Sequence, residues 1–131
     1  MKATRIDHVG IVVKDIDAAL ATYARNFGFA ADSRRGGDLP ALGIKNAFMP
    51  VGGSDLEFIQ AISSEGPVAQ FASDRGEGAF MLSLEVEDLD AAVEHLRSAG
   101  ARVGNSNNGV AFVSMKSTHG VNLQLVQRKP N

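Results

Sequence analysis

The sequence predicts an α+β fold built from two copies of one strand-helix-strand-strand-strand unit, and three observations carry that prediction. The first is an internal repeat. HVGIVVKDIDAAL, starting at His8, lies over MLSLEVEDLDAAV, starting at Met81, without a gap at an offset of 73 (81 − 8). The second is a matching pair of closing strands: LEFIQ from Leu56 lies over LQLVQ from Leu123, offset 67 (123 − 56). The third is a change of period within each copy, from the two-residue alternation of a strand to the 3.6-residue spacing of a helix. Two copies are too few for a solenoid and point to two similar modules packed together.

Each element follows from its residues. In IDHVGIVV the side chains of Val9, Ile11 and Val13 share one face, and Ile6, His8, Gly10 and Val12 the other. Asp15 or Asp17 then caps a helix whose Leu20, Tyr23, Ala24 and Phe27 fall on one face, with Gly28 as the left-handed stop. Strands are expected over 29–35, 43–49 and 55–62, the last two joined by the turn PVGGS. The second copy repeats the order: a strand over 80–86, a helix over 88–99 ended by Gly100, a short strand over 101–104, the turn NSNNG, and strands over 110–115 and 122–127. Modules are thus expected at 1–62 and 79–131. Residues 63–78, SSEGPVAQFASDRGEG, form the connector, with a helical turn at 68–72.

Composition narrows the function classes. A chain of 131 residues is one domain by size and buries roughly 70% of the surface its unfolded form exposes. A net charge of −2 with dispersed Lys and Arg argues against a nucleic-acid partner. No apolar run of membrane-spanning length and no apolar signal core in MKATRIDHVG are present, so a cytoplasmic protein without a membrane partner is expected. With no cysteine, disulfides and thiolate chemistry are excluded.

If each module covers one sheet face with its helix, the opposite faces are left to line a shared concave cavity. On that face the first copy carries His8 and Glu57, and the second carries Met81 and Gln124 at the equivalent positions. A carboxylate inside the apolar run DLEFIQAI is costly to bury without a partner, which a histidine, a metal or a ligand would supply. The bland reading is a simple His–Glu hydrogen bond; the repeat strengthens the ligand reading by placing both residues on the same kind of face. His95 is expected on a helix surface, and His119 in a turn. Arg34, Arg35 and Lys45 are expected to be solvated rather than anion-binding, and the repeated DxDAA to be helix capping.

IDHVGIVVKDIDAALATYARNFGF, FMPVGGSDLEFIQ, SLEVEDLDAAVEHLRSAGARV and MKSTHGVNLQLVQ together resemble the vicinal oxygen chelate superfamily of glyoxalases, bleomycin-resistance proteins and extradiol dioxygenases. Methylmalonyl-CoA epimerases are the nearest likeness, and it covers nearly the whole chain. The resemblance implies two βαβββ modules packed edge to edge around a concave metal-binding cavity, in a homodimer. It also implies metal ligands at four positions, of which His8 and Glu57 match the family pattern. Met81 stands where a second His is expected, and Gln124 where a Glu is expected. His8, Glu57 and Gln124 would make at most a weak site for a divalent ion, since a Met thioether is soft and Gln carries no charge. The cofactor expectation is therefore none, or a weakly bound divalent metal.

The epimerases it resembles use two glutamates as opposed acid and base. Their positions correspond here to Gln124 and, through LGIKNAFMP, to Asn46, and amides do not exchange protons near neutral pH. Ordinary methylmalonyl-CoA epimerisation is not expected. Two readings stay open. One is an isomerase- or lyase-type enzyme acting on a small carbonyl or acid substrate, with Glu57 as base, His8 as acid or orienting group, and Asn46, Met81 and Gln124 contacting the substrate. The other is a metal-free protein that binds or sequesters a small molecule, as bleomycin-resistance proteins do. With no Trp and one Tyr, its aromatic lining would be thin.

Overall fold

The computed structural model describes residues 1–128, so the last three positions of the expected second module, 129–131, lie outside the described residues. Over the described residues it is an α+β structure with three α-helices and a mixed seven-stranded sheet. In chain order the elements are β1 (Ala3–Val12), α1 (Ile16–Phe27), β2 (Gly37–Leu39), β3 (Ile44–Val51), β4 (Ser54–Ala61), α2 (Pro67–Arg75), β5 (Gly78–Val86), α3 (Leu89–Ser98), β6 (Val110–Val113) and β7 (Leu123–Val126). Strand order in the sheet is β2-β3-β4-β1-β5-β7-β6. The chain divides into two compact units, Val9–Phe80 on one hand and Met1–His8 with the chain from Met81 onward on the other.

In the unit Val9–Phe80, α1 forms because Asp15 accepts the Ala18 N–H (3.2 Å), Asp17 and Arg25 complement the helix ends, and Gly28 closes it at φ 71°. Its apolar face places Ile16, Ala19, Leu20 and Tyr23 over Val13, Met49, Phe58, Ala47 and Leu56. Phe58 is fully buried and meets Tyr23 edge-on at 4.9 Å. Burial of a Phe of this kind stabilises the fold by about 2–3 kcal/mol. Strands β3 and β4 form a tight hairpin in the register Val51↔Ser54 to Ile44↔Ala61, turning at Gly52, which takes φ 59°.

The unit holding Met81 repeats this plan. Asp88 accepts the Ala91 N–H (3.0 Å) and starts α3. Leu89, Ala92, Val93 and Leu96 then pack on Leu84, Val86, Ala111, Val113, Leu123 and Leu125. Strand β7 pairs in parallel with β5 and antiparallel with β6. The repeat reaches single hydrogen bonds. Ile16 N–H donates to Gln60 Oε1 (3.0 Å) in one unit and Leu89 N–H to Gln127 Oε1 (2.7 Å) in the other, so each helix start is held by a glutamine at the end of its closing strand.

Three expectations shift. The strand over 29–35 does not form; the strand of that place is β2, further on. Asp32 organises the intervening chain as a turn, accepting the Arg34 N–H at Oδ1 (3.0 Å) and the Arg35 N–H at its carbonyl (3.2 Å), and such local bonds compete with a strand ladder. The strand over 101–104 shrinks to an isolated bridge, Val103↔Val113, because Gly100 at φ 93° and Gly104 leave too few residues between them. The connector carries a full helix, α2, rather than a turn. Pro67 stands at its first position and Gly76 closes it. That helix packs Val68, Phe71 and Ala72 against Val12, Ile59, Ala61, Ile44 and Phe80. In this unit, then, the sheet face opposite α1 is itself partly covered.

Candidate functional site

Five polar or charged side chains are buried among the described residues: Asp7, His8, Glu57, Ser83 and Gln124. Three of them, His8, Glu57 and Gln124, are the residues the repeat singles out. Asp7 and Ser83 are additional. Asp7 is written in the same IDH run as His8, and Ser83 lies at the repeat offset from Gly10 (83 − 10 = 73), where the first copy has no side chain.

Glu57 and Asn46 belong to the unit Val9–Phe80. Glu57 sits on β4 with its backbone opposite Phe48, and Asn46 lies diagonally across on β3. Asn46 Nδ2 donates to Glu57 Oε2 at 2.8 Å. The carboxylate is 9% exposed. By strand alternation it shares its face with Ile59 and Ala61, the residues under α2, so it lies beside an apolar cluster. The Asn46 amide, which cannot ionise, therefore fixes the rotamer of a carboxylate that can.

His8, Met81 and Gln124 belong to the other unit. Gln124 accepts the Ser83 hydroxyl at 2.8 Å, both groups being buried. Met81 is half-buried within β5. His8 Nδ1 lies 2.7 Å from Asp7 Oδ2. A carboxylate only accepts, so Nδ1 carries the proton in this bond. Asp7, 1% exposed, also accepts from Arg5 Nη2 (2.8 Å) and Arg128 Nε (3.0 Å), with Arg128 Nη2 on its second oxygen. Burial pushes the Asp7 carboxyl up. The hydrogen bonds from Arg128 and His8, with the charges behind them, outweigh burial and hold it below the ordinary carboxylate range.

The basic residues near 34 are engaged with carboxylates rather than simply solvated. Arg35 makes a two-pronged contact with Asp55 (2.7 and 3.0 Å), bonds Asp32 (2.9 Å), and lies over the Phe48 ring at 4.7 Å. Arg34 is bound to Asp32 but largely exposed. His95 is on the exposed side of α3, and His119 occupies a left-handed turn at φ 57°.

For a divalent ion the donor set is poor. Among the described residues no group of three or more His, Cys, Asp or Glu side chains is arranged to hold a metal. Met81 offers a soft thioether, and the Gln124 carbonyl is already engaged by Ser83.

A mixed sheet of two repeated units, each with a capped helix on one face and buried polar residues on its strands, defines an α+β protein of the vicinal oxygen chelate class. Residues 7–126 match the family model of the glyoxalase/bleomycin resistance protein/dioxygenase superfamily, and the chain belongs to that family. It is 30% identical to the ethylmalonyl-CoA/methylmalonyl-CoA epimerase of Cereibacter sphaeroides, over 94% of this chain and 97% of that protein. Among solved structures it superposes on the methylmalonyl-CoA epimerase of Mycobacterium tuberculosis with a TM-score of 0.87 at 28% identity, covering 98% of this chain and 90% of the other. It matches a Streptomyces coelicolor methylmalonyl-CoA epimerase variant in complex with 2-nitronate-propionyl-CoA equally well, with a TM-score of 0.87 at 25% identity, covering 98% of this chain and 100% of that one.

Proposed function

We propose that this epimerase- and glyoxalase-like chain is an isomerase- or lyase-type enzyme that removes the proton beside the carbonyl of a small acyl substrate, with Glu57 as the base. The observation that carries this reading is the Asn46–Glu57 pair, a buried carboxylate held in one orientation by a neighbouring amide. Proton abstraction needs a fixed base close to the carbon acid. A cavity that only binds has no use for one.

In this reading His8 orients the substrate or donates a proton, while Met81 and Gln124 contact it. Asn46 and Gln124 stand at the two positions where the resemblance expects catalytic glutamates. The chemistry is therefore built on one base rather than two opposed ones: Glu57 takes the proton from one face and redelivers it on that face, to a neighbouring atom of the enolate in an isomerisation or to the departing β-substituent in an elimination. Because the relatives are named for acyl-CoA substrates, thioesters are the first substrates to try. Any divalent metal is held weakly, for want of donors. We place the chain in a homodimer on the strength of the family resemblance; a monomer by light scattering at high micromolar concentration would overturn that part.

The test is solvent exchange. The protein is incubated in deuterium oxide with 2-substituted acyl-CoA thioesters and with small 2-hydroxy and 2-oxo acids, and label at the carbon beside the carbonyl (C2 of the thioesters and hydroxy acids, C3 of the oxo acids) is read by mass spectrometry. Label is expected in at least one substrate, with configuration retained, and Glu57→Gln should abolish it without loss of fold. Tight binding with no exchange in any substrate would overturn the enzyme reading in favour of sequestration.

A further inference from the structure

We propose that Asp7 is a positioning residue for His8: its carboxylate, itself held by two arginines, locks the imidazole in one orientation and one tautomer, with the proton on Nδ1. The inference deepens the reading given above, in which His8 acts on a substrate. Its ground is the geometry around Asp7. Both carboxylate oxygens are used, Oδ1 by Arg5 (2.8 Å) and Arg128 Nε (3.0 Å), Oδ2 by His8 Nδ1 (2.7 Å) and Arg128 Nη2. Arg5 is in turn held by Glu85, whose Oε1 accepts Arg5 Nε at 2.8 Å.

Each part of this arrangement has a consequence. Two guanidinium groups fix the carboxylate plane, since the planar fork of Arg matches a carboxylate edge. A fixed, acceptor-only carboxylate then fixes the ring that donates to it, and with it the tautomer. A side chain so tied loses the freedom to turn about its own torsions. Histidines that must present one nitrogen are commonly oriented by a carboxylate on the other, and loss of such a partner costs about tenfold or more in function. A staple that merely joined the first strand to Arg128 would require only the Asp7–arginine contacts. The bond to the imidazole serves no such purpose.

The test reads His8 directly and needs no substrate. Imidazole ¹⁵N shifts are recorded at neutral pH for the wild type, Asp7→Asn and Asp7→Glu. In the wild type Nδ1 of His8 should show the shift of a protonated nitrogen. In Asp7→Asn that shift should move towards the unprotonated value in a measurable fraction of molecules, because free imidazole favours the proton on the other nitrogen. Asp7→Glu keeps the charge beside the two arginines but displaces the carboxylate by one methylene, so it should disturb Nδ1 in the same direction if Asp7→Asn does not fold. An unprotonated Nδ1 in the wild type, or an Nδ1 shift unaltered in the folded variants, would overturn the proposal. If the exchange activity proposed above is found, Asp7→Asn should lower its kcat about tenfold with KM within about twofold. If no activity is found, the nitrogen shifts still decide the role of Asp7.

Discussion

Asn46 reaches diagonally across the β3–β4 hairpin to donate an N–H to Glu57 at 2.8 Å. The two strands that carry them are neighbours in the ladder, so the pair is set by register as much as by side-chain chemistry. A slip of one residue would send Asn46 to the α1 face of the sheet and leave the carboxylate without this bond.

Removal of the amide should therefore be felt in both stability and function. Asn46→Ala is expected to cost about 1–2 kcal/mol in urea unfolding, the usual effect of leaving a buried carboxylate short of a donor. Asn46→Asp, which sets a second carboxylate beside the first, should cost at least as much at neutral pH and less in acid, because protonation of one member relieves the repulsion. Equal stability of Asn46→Asp across pH 4 to 8 would show that the two side chains do not meet in solution.

The glutamine anchors give an independent test of the repeat. Gln60 and Gln127 each accept the first backbone N–H of a helix, at 3.0 and 2.7 Å. Gln60→Ala and Gln127→Ala should each cost about 1 kcal/mol, and the double variant should cost close to the sum, since the bonds share no partner. Denaturant melts check this.

Asp32 supplies a pH signature. Hydrogen bonds from the Arg34 side chain and backbone, then from Arg35, hold its carboxyl at about 2. A carboxyl lowered on folding contributes stability that is full above its unfolded value near 4 and is lost as pH falls towards 2. The arginines that cover it face solvent, which screens the interaction, so the effect on stability should be small, but the titration should be plain. Carboxyl ¹³C shifts should place Asp32 well below the other surface aspartates, and Arg34→Ala should bring it back up.

Metal binding should follow the donor set. After dialysis the wild type is expected to retain well under one equivalent of nickel, cobalt or zinc by elemental analysis. Met81→His with Gln124→Glu adds an imidazole and a charge to the unit that already holds His8, reaching the three-donor minimum of ordinary divalent sites, and should raise retention. One firmly held equivalent in the wild type would refute the argument from donors.

The order of elements was legible because it rests on local signals. Alternation, the two capping aspartates and the stop at Gly28 act within a few residues, and the repeat at offset 73 made the second unit readable from the first. The same repeat drew attention to His8, Glu57 and Gln124, and all three are buried. The misplaced strand over 29–35 shows the limit of this reading. FAADSRR has strand-compatible residues, but the turn at Asp32 is reinforced by Arg35 reaching Asp55, twenty positions away, a contact no local pattern announces.

What the sequence by itself determined is the class of fold, the likeness of its two halves, and the polar residues written into apolar strands. These depend on periodicity, capping and self-similarity, which are properties of short stretches. Only the tertiary structure decided which polar groups satisfy one another: Asn46 with Glu57, Ser83 with Gln124, and Asp7 with His8 and two arginines, one of them 121 positions away. The reason is physical. A buried polar atom must find a partner, but the choice among partners is made by strand register and by distances of about 3 Å, and neither exists until the chain has folded.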